Sequence, residues 1–172
     1  AEEIGFIGAI GACSSGIMPV NSRLLALENS KSFADSPLGG GPIVRVGDRT
    51  STFDPELTYA VGRVAQALQQ SDSDFRWQRK LMPGGTCEAS AYQAFGYTAT
   101  CLCLPLGNYH NMDDDKQRIG SEFIRIDDFH GLVRLLIACG HSLTDAAGPD
   151  NDGVTLRPRL ETLFADRRSV LG

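Results

Sequence analysis

The 172-residue chain is long enough to form one domain with a hydrophobic core. Its composition is that of a globular protein, and its formal net charge of -5 argues against a partner with a phosphate backbone. No apolar run reaches the roughly 18 residues that a membrane span needs, so we expect neither a nucleic-acid nor a membrane partner.

The first half of the chain predicts helices and strands in alternation. An apolar, glycine-spaced stretch, "IGFIGAIGACSSG", suits a helix packed against a sheet, and "RLLALEN" reads as a strand that ends in Glu28. After the loop "FADSPLGGGP", the stretch "PIVRVGDRT" predicts a strand and a turn. Asp54 as N-cap and Pro55 in the first turn then begin a helix whose apolar stripe is Leu57, Ala60, Val61, Val64, Ala65 and Leu68.

The second half continues the alternation. "FRWQRKLM" has the period of a strand, "PGGT" opens a helix that Gly96 ends, and "TATCLCLPL" is a buried strand followed by the polar loop "GNYHNMDDD". "IDDFHGLVRLLIACG" predicts a helix with Asp127 or Asp128 as its cap and Gly140 as its stop. "PDNDG" is then a loop, and "RPRLETLFADRR" is a short amphipathic helix.

This order of elements predicts an α/β layered fold with a mainly parallel sheet. Functional groups in such folds collect at the carboxyl ends of the strands. Glu28 and the loop that carries Tyr109 and His110 both lie at such ends in this interpretation.

The N-terminus and the cysteines indicate in which cellular compartment the protein is expected. The chain begins with an acidic stretch, whereas a signal peptide begins with a basic one. The five cysteines form no CxxC pair, and Cys101 and Cys103 lie in an apolar run typical of a strand. We therefore predict reduced, mostly buried thiols and a cytoplasmic location.

Four polar residues form a candidate catalytic constellation: Glu2, Glu3, Glu28 and His110. A hydrolase with a pair of zinc-like ions needs carboxylate and imidazole ligands and a free carboxylate as base. Adjacent glutamates can divide these tasks, one as ligand and one as proton shuttle. Spacing alone is weak evidence, because a pair of glutamates is usually a solvated surface feature.

Motifs strengthen this hypothesis. "EEIGFIGA", "LENS", "PGGTCEASAYQAFGY" and "PLGNYHNM" occur in this order between Glu2 and Gly140. Together they resemble the C-terminal half of the co-catalytic metallo-aminopeptidase clan, and most of all the glutamyl-aminopeptidase/endoglucanase-like family, which includes tetrahedral aminopeptidases. The resemblance implies a three-layer α/β/α sandwich of the zinc-peptidase type, with a mixed, mainly parallel sheet and its N-terminal part missing.

The resemblance also implies roles for single residues. Glu2 is the general base and proton shuttle. Glu3 and His110 bind one metal ion, and Glu28 binds the other, although many relatives carry Asp in the place of Glu28. The implied cofactors are two divalent metal ions, zinc in the first place, with cobalt or manganese as further options.

The glycine-rich loop allows two interpretations. Because a helix N-terminus is electropositive, its amides suit substrate binding. Alternatively, the glycines only make a tight turn and the threonine caps the helix. Cys87 occupies the position at which relatives commonly carry Asp. We interpret Cys87 as a buried thiol at the start of the helix and not as a catalytic nucleophile. The residues concerned are Gly84, Gly85 and Thr86.

The function implied by the resemblance is a metal-dependent aminopeptidase that removes N-terminal residues from peptides. The alternatives are a related amide hydrolase, such as a deacylase, and a catalytically inactive binding or assembly module, since the family's upstream His and bridging Asp are not in this chain. We expect residues 1–172 to be the C-terminal part of one catalytic domain, with a core of 1–140 and an extension of 141–172. We also expect a homo-oligomer for the full-length protein.

Overall fold

The structure, a computed structural model, describes residues 4–143 and 153–171. None of the helices in these ranges is long and apolar enough to cross a membrane. The helices are α1 (Ile7–Ser14), α2 (Pro55–Ser71), α3 (Glu88–Ala94), α4 (Ile126–Ser142) and α5 (Gly153–Arg167), and the strands are β1 (Arg23–Lys31), β2 (Ile43–Gly47), β3 (Gln78–Leu81), β4 (Thr98–Leu106), β5 (Met112–Asp113) and β6 (Arg118–Ile119).

Strands β1 to β4 form one mixed sheet in the order β1-β4-β2-β3. β1 pairs in parallel with β4, and β2 in parallel with β3, whereas β4 and β2 are antiparallel. The predicted α/β class with a mixed, mainly parallel sheet is therefore confirmed. The register places Lys31 opposite Leu106, so the carboxyl ends of β1 and β4 meet at one edge of the sheet.

Helices cover both faces of this sheet and complete three layers. On one face, α2 and α4 pack over an apolar core that includes Val44, Leu102 and Leu135. On the other face, α3 packs against β4 and β1 around Ala89 and Cys101, and α1 lies against α3. Neighbouring residues of β4 belong to different layers because successive side chains of a strand point to opposite faces.

α2 begins where its local signals predict. A side-chain oxygen of Asp54 accepts a hydrogen bond from the N–H of Leu57 at 2.7 Å, and Pro55 is the first helical residue. The apolar stripe faces the core, with Val61 and Ala65 fully buried.

α4 begins earlier than the sequence predicts. The helix starts at Ile126, so Asp127 and Asp128 both lie in its first turn, and the prediction that one of them is the N-cap is wrong. The buried carboxylate of Asp128 instead accepts hydrogen bonds from the backbone N–H groups of Gly39 and Gly41, each at 2.8 Å. Asp128 therefore joins α4 to the loop before β2.

Other local predictions also differ from the structure. The segment after β4, predicted as a polar loop, contains a short antiparallel hairpin of β5 and β6. Gly140 lies inside α4, which ends at Ser142. The predicted C-terminal helix is present as α5, whereas the predicted "PDNDG" loop lies largely outside the described residues.

The prediction that the cysteines are mostly buried is confirmed. All five are free and buried. Cys101 lies in the α3 layer and Cys139 in the layer of α2 and α4, so both faces of the sheet contain thiols.

Candidate functional site

A cavity of about 500 Å³ lies where the carboxyl ends of β1 and β4 meet. Its volume is in the range of small-molecule sites. The fold brings residues from six separate segments of the sequence to this cavity. Five of the residues singled out by the sequence line it, namely Glu28, Gly84, Gly85, Thr86 and His110.

The other two predicted site residues, Glu2 and Glu3, lie outside the described residues. The first described segment does reach the cavity, because Gly5 and Phe6 are among its lining residues. The roles given to Glu2 and Glu3 stay predictions.

Glu28 reaches the cavity from the α3 side of the sheet. It is half-buried on β1, directly opposite Cys103 of β4. Residues two apart on a strand share a face. Glu28 therefore shares its face with Ala26, which packs in the α3 layer.

His110 lies on a constrained loop just beyond β4. Asn108, His110 and Asn111 all have φ between 52° and 59°, a left-handed backbone conformation that residues other than glycine seldom adopt. The Tyr109 ring stacks on the His110 ring, with centroids 4.0 Å apart. Such a backbone persists only where its surroundings hold it in place.

Glu122 supplies part of that support. Its Oε1 accepts a hydrogen bond from the backbone N–H of His110 at 2.7 Å, and it also lines the cavity. Nearby, the backbones of Gly107 and Phe123 exchange hydrogen bonds of 2.9 and 3.2 Å. Glu122 was not predicted as a site residue, because nothing in the local sequence pattern links it to a loop 12 positions earlier.

The loop of Gly84 to Thr86 is held by the turn that follows β2. The N–H of Arg49 donates to the carbonyl of Gly85 at 3.0 Å, and the hydroxyls of Thr50 and Thr86 form a hydrogen bond. The two loops therefore form one unit, and this unit borders the cavity.

Asp48 is the centre of this unit. One carboxylate oxygen accepts the N–H groups of Thr50 and Ser51 at 2.7 and 3.0 Å, and the other accepts the N–H of Cys87 at 2.8 Å and the hydroxyl of Ser90 at 2.7 Å. Burial raises the pKa of the Asp48 carboxyl, but these hydrogen bonds outweigh burial and hold that pKa below its usual value.

Asp48, and not Thr86, accepts the hydrogen bond from the backbone N–H of Cys87 at the start of α3. The helix begins at Glu88, and Cys87 precedes it without a side-chain cap of its own. The interpretation that Thr86 caps the helix is therefore wrong. A Cβ added at Gly84 or Gly85 would meet no atom within 4 Å, and neither residue has a positive φ. Packing within the chain gives no reason for glycine at these two positions.

The donor types at the cavity fit a metal ion in part. Glu28 offers a carboxylate and His110 an imidazole, which are ligands that zinc binds. Within residues 4–143 and 153–171, however, no three His, Cys, Asp or Glu side chains are grouped closely enough to hold a metal. A complete ligand set needs a further donor, and the sequence analysis names Glu3 for that place.

A second cavity, of about 600 Å³, lies at the start of α4 and contains none of the predicted site residues. Its carboxylates and cations are largely paired with one another or with backbone. Asp128 binds two glycine amides, and Arg134 forms an ion pair of 2.8 Å with Asp72. We therefore take the cavity beside Glu28 as the candidate site.

A family model described as M42 glutamyl aminopeptidase matches residues 1–127 of the chain. That range includes every predicted site residue. No curated protein matches the chain.

Solved structures share the fold. PhTET1-12s, described as a dodecamer, is 23% identical with a TM-score of 0.63, and the match covers 80% of this chain and 38% of that chain. The TET aminopeptidase from a marine sediment archaeon of the Thaumarchaeota is 22% identical with a TM-score of 0.62, covering 80% and 36%. The Pyrococcus horikoshii TET1 peptidase, which can assemble into a tetrahedron or a large octahedral shell, is 23% identical with a TM-score of 0.59, covering 77% and 37%. The chain thus spans less than two fifths of the length of each.

Proposed function

We propose that this chain, which belongs to the M42 glutamyl aminopeptidase family, is the C-terminal part of a catalytic domain that removes N-terminal residues from peptides. One observation carries the proposal. Glu28, His110 and the Gly84–Thr86 loop are far apart in the sequence and line one cavity. Residues that were selected only because they belong to sequence motifs would not be expected to line the same cavity by chance.

Glu28 and His110, together with Glu3, are the residues of this chain that would contribute ligands to two divalent metal ions, alongside the family's upstream His and bridging Asp, with zinc in the first place and cobalt or manganese as alternatives. When bound, such ions polarise a carbonyl and lower the pKa of water toward about 7. Glu122 binds the backbone N–H of His110 and helps to keep this loop in its unusual conformation, so the backbone that carries the imidazole is held in place before any ligand binds.

Glu2 is proposed as the general base. Its carboxylate would take a proton from the attacking water and deliver it to the nitrogen of the leaving amine. Gly5, three positions after Glu2 in the sequence, lines the cavity.

The loop amides are proposed to bind the substrate backbone. Open space above Gly84 and Gly85 leaves their backbone accessible, and the adjacent start of α3 favours electronegative groups. Because Asp48 anchors the loop, these amides are oriented in advance, and less entropy is lost on binding.

The test uses the complete protein with each of two substrates: a peptide with a free amino terminus and the same peptide with an acylated one. Hydrolysis of the free peptide alone supports the aminopeptidase. Cleavage of the acyl group supports the deacylase, and absence of both reactions in metal-loaded protein supports the binding or assembly module.

Two variants test the roles. Glu2→Gln should retain both metal ions and lose turnover, and retained turnover would contradict its role as base. His110→Ala should lose one metal ion by elemental analysis. His130→Ala, an exposed histidine of the second cavity, is the matched control and should keep the wild-type metal content.

Further proposals concern the whole protein. Residues 1–140 are proposed as the core of this part of the domain, with 141–172 as an extension. A homo-oligomer is proposed because solved relatives of the fold are described as a dodecamer and as tetrahedral or octahedral assemblies. A cytoplasmic location is proposed on the five free thiols, which persist in reducing compartments.

A further inference from the structure

Helix α4 has two apolar sides. Leu132, Leu135 and Cys139 are buried in the core beneath the helix. Four further apolar side chains lie away from this core and are between 38% and 63% exposed, namely Ile126, Phe129, Val133 and Ile137. Their spacing of three and four positions places them in one stripe along the helix. A helix that is apolar on two sides is expected to have a partner on each side.

Helix α5 has an exposed apolar stripe as well. Leu160, Leu163 and Phe164 have the spacing of one helix face and are between 43% and 57% exposed. Within the part of the chain that the structure describes, α5 therefore does not cover the stripe of α4, and both stripes are open to solvent. Contiguous apolar surface of this kind is typical of a protein–protein interface.

The two stripes match each other when the helices run antiparallel. If Val133 lies against Leu163, the next apolar residue of the α4 stripe is four positions later, and that of the α5 stripe is three positions earlier. These residues are Ile137 and Leu160. Because an α-helix rises about 1.5 Å per residue, they differ by only about 1.5 Å in their level along the contact. Apolar side chains therefore meet along the length of both stripes.

Charges at one end of the contact favour the same direction. Asp127 in the first turn of α4 is an exposed carboxylate, and Arg167 and Arg168 are exposed cations where α5 ends. Asp127 lies six positions before Val133, and the two arginines lie four and five positions after Leu163. The antiparallel register therefore brings opposite charges to the same end. Such charges at the rim of an interface orient the partners more than they strengthen the contact.

We infer that α5 of one copy of this chain packs antiparallel onto the exposed stripe of α4 in a second copy. Each chain carries both halves of the contact, so a twofold arrangement forms the contact twice with no further component. This exchange buries the apolar surface that a single chain leaves exposed on both helices. The inference rests on the proposed homo-oligomer and names one of its interfaces, and it does not depend on the proposed reaction.

The experiment is disulfide trapping in the complete protein. Protein with Val133→Cys is mixed with protein with Leu163→Cys, oxidised with copper phenanthroline and analysed on a denaturing gel with and without reductant. The mixture should give a dimer-sized band that reductant removes. Ala165→Cys in place of Leu163→Cys is the matched control, because Ala165 is exposed two positions further along α5, about 160° around the helix. It should give no such band, and the buried native thiols keep the background low.

A second variant tests the strength of the contact without crosslinking. Leu163→Asp places a charge in the apolar contact, and it should raise the concentration at which the assembly dissociates at least about tenfold in a dilution series by mass photometry. Ala165→Asp introduces the same charge on the other side of α5 and should leave this concentration unchanged. Because both side chains are exposed, neither change disturbs the core.

The other possible partners of α4 give different results. When both cysteines are placed in one chain, a crosslink inside that chain would show that α5 folds onto its own α4 and would overturn the interface. No crosslink, with the thiol introduced at position 133 protected from a thiol reagent, would show that another part of the complete protein covers α4, with the same consequence. An oligomer without the crosslink keeps the proposed homo-oligomer and overturns this interface. A crosslinked dimer without peptidase activity keeps the interface and contradicts the proposed reaction.

Discussion

Asp48 is the residue on which the geometry of the Gly84–Thr86 loop depends. Its carboxylate accepts four hydrogen bonds and connects the turn after β2 to the start of α3. The end of the Gly84–Thr86 loop next to α3 is thereby fixed, and the N–H of Arg49 also binds the Gly85 carbonyl in its middle. A residue that does not line the cavity can in this way determine the geometry of a loop that does.

We predict that Asp48→Asn lowers the free energy of unfolding by about 2 kcal/mol at pH 7, because hydrogen bonds to a charged acceptor contribute about 1.5–3 kcal/mol. The folded-state pKa of Asp48 is below its value near 3.9 in the unfolded chain, so its contribution is present above that value and is lost as pH falls through the folded-state pKa. Urea unfolding at pH 7 and pH 3 should show the difference between wild type and variant narrowing at the lower pH.

The control for this measurement is Asp35→Asn. Asp35 is an exposed carboxylate that pairs with Lys80, and solvent screens such a pair. Its replacement should change stability little at either pH. A wild-type unfolding curve for Asp48→Asn at pH 7 would contradict the structural role given to Asp48.

At the scale of elements, the pairing of β1 with β4 creates the site. Parallel strands end at the same edge, so Glu28 near the end of β1 and His110 just after β4 line one cavity although α2 and α3 lie between them in the sequence. The hairpin of β5 and β6 follows immediately, and Glu122 beyond it returns to bind the His110 backbone.

The attachment of α4 gives a prediction at this scale. Asp128 is 1% exposed, and its carboxylate accepts hydrogen bonds from the backbone N–H groups of Gly39 and Gly41. Asp128→Ala leaves the buried N–H of Gly41 and the half-buried N–H of Gly39 without their acceptor, and we expect a loss of about 2–4 kcal/mol in the free energy of unfolding. Guanidinium denaturation of the complete protein measures it.

Asp127→Ala is the matched control, since this neighbour lies in the same turn of α4 and its exposed side chain makes only a distant pair with Arg125 at 3.8 Å. Its effect should stay within about 0.5 kcal/mol, as is usual for surface substitutions. Similar losses for the two variants would mean that the helix terminus itself, and not the bond to the Gly39–Gly41 loop, is what the aspartates stabilise.

At the scale of the whole molecule, the apolar clusters of the fold contain four of the five thiols: Cys139 on the face of α2 and α4, Cys87 and Cys101 against α3, and Cys103 beside Ile43 and Met82. Burial raises the pKa of Cys103 to about 12 and that of Cys139 to about 11, and both side chains are at most 2% exposed. A thiol reacts as its thiolate, so these groups are inert while the layers stay packed.

We predict that a thiol reagent at pH 8 labels Cys103 and Cys139 only as fast as the layers open, and labels all five cysteines at once in denaturant. Cys13, which is 9% exposed, should be the first to react in the folded protein. Mass spectrometry of peptides after timed labelling measures the order. Rapid labelling of Cys103 without denaturant would show that the sheet is not covered on the α3 face.

The sequence by itself determined the elements whose signals are local. The Asp54 cap and Pro55 predicted the start of α2 because a cap acts within one turn, and the apolar run of β4 predicted a buried strand because side-chain burial follows a short period. The motifs also indicated Glu28, His110 and the Gly84–Thr86 loop before their common cavity was known.

Only the tertiary structure decided what the buried charges do. Asp128 resembles a helix cap in sequence, but its partners are 87 and 89 positions away. Asp48 resembles a turn residue and also anchors α3, and Arg45 resembles an ordinary strand residue and lines the cavity. A hydrogen bond between distant segments leaves no periodic trace in either segment, so such roles become visible only when the chain is folded.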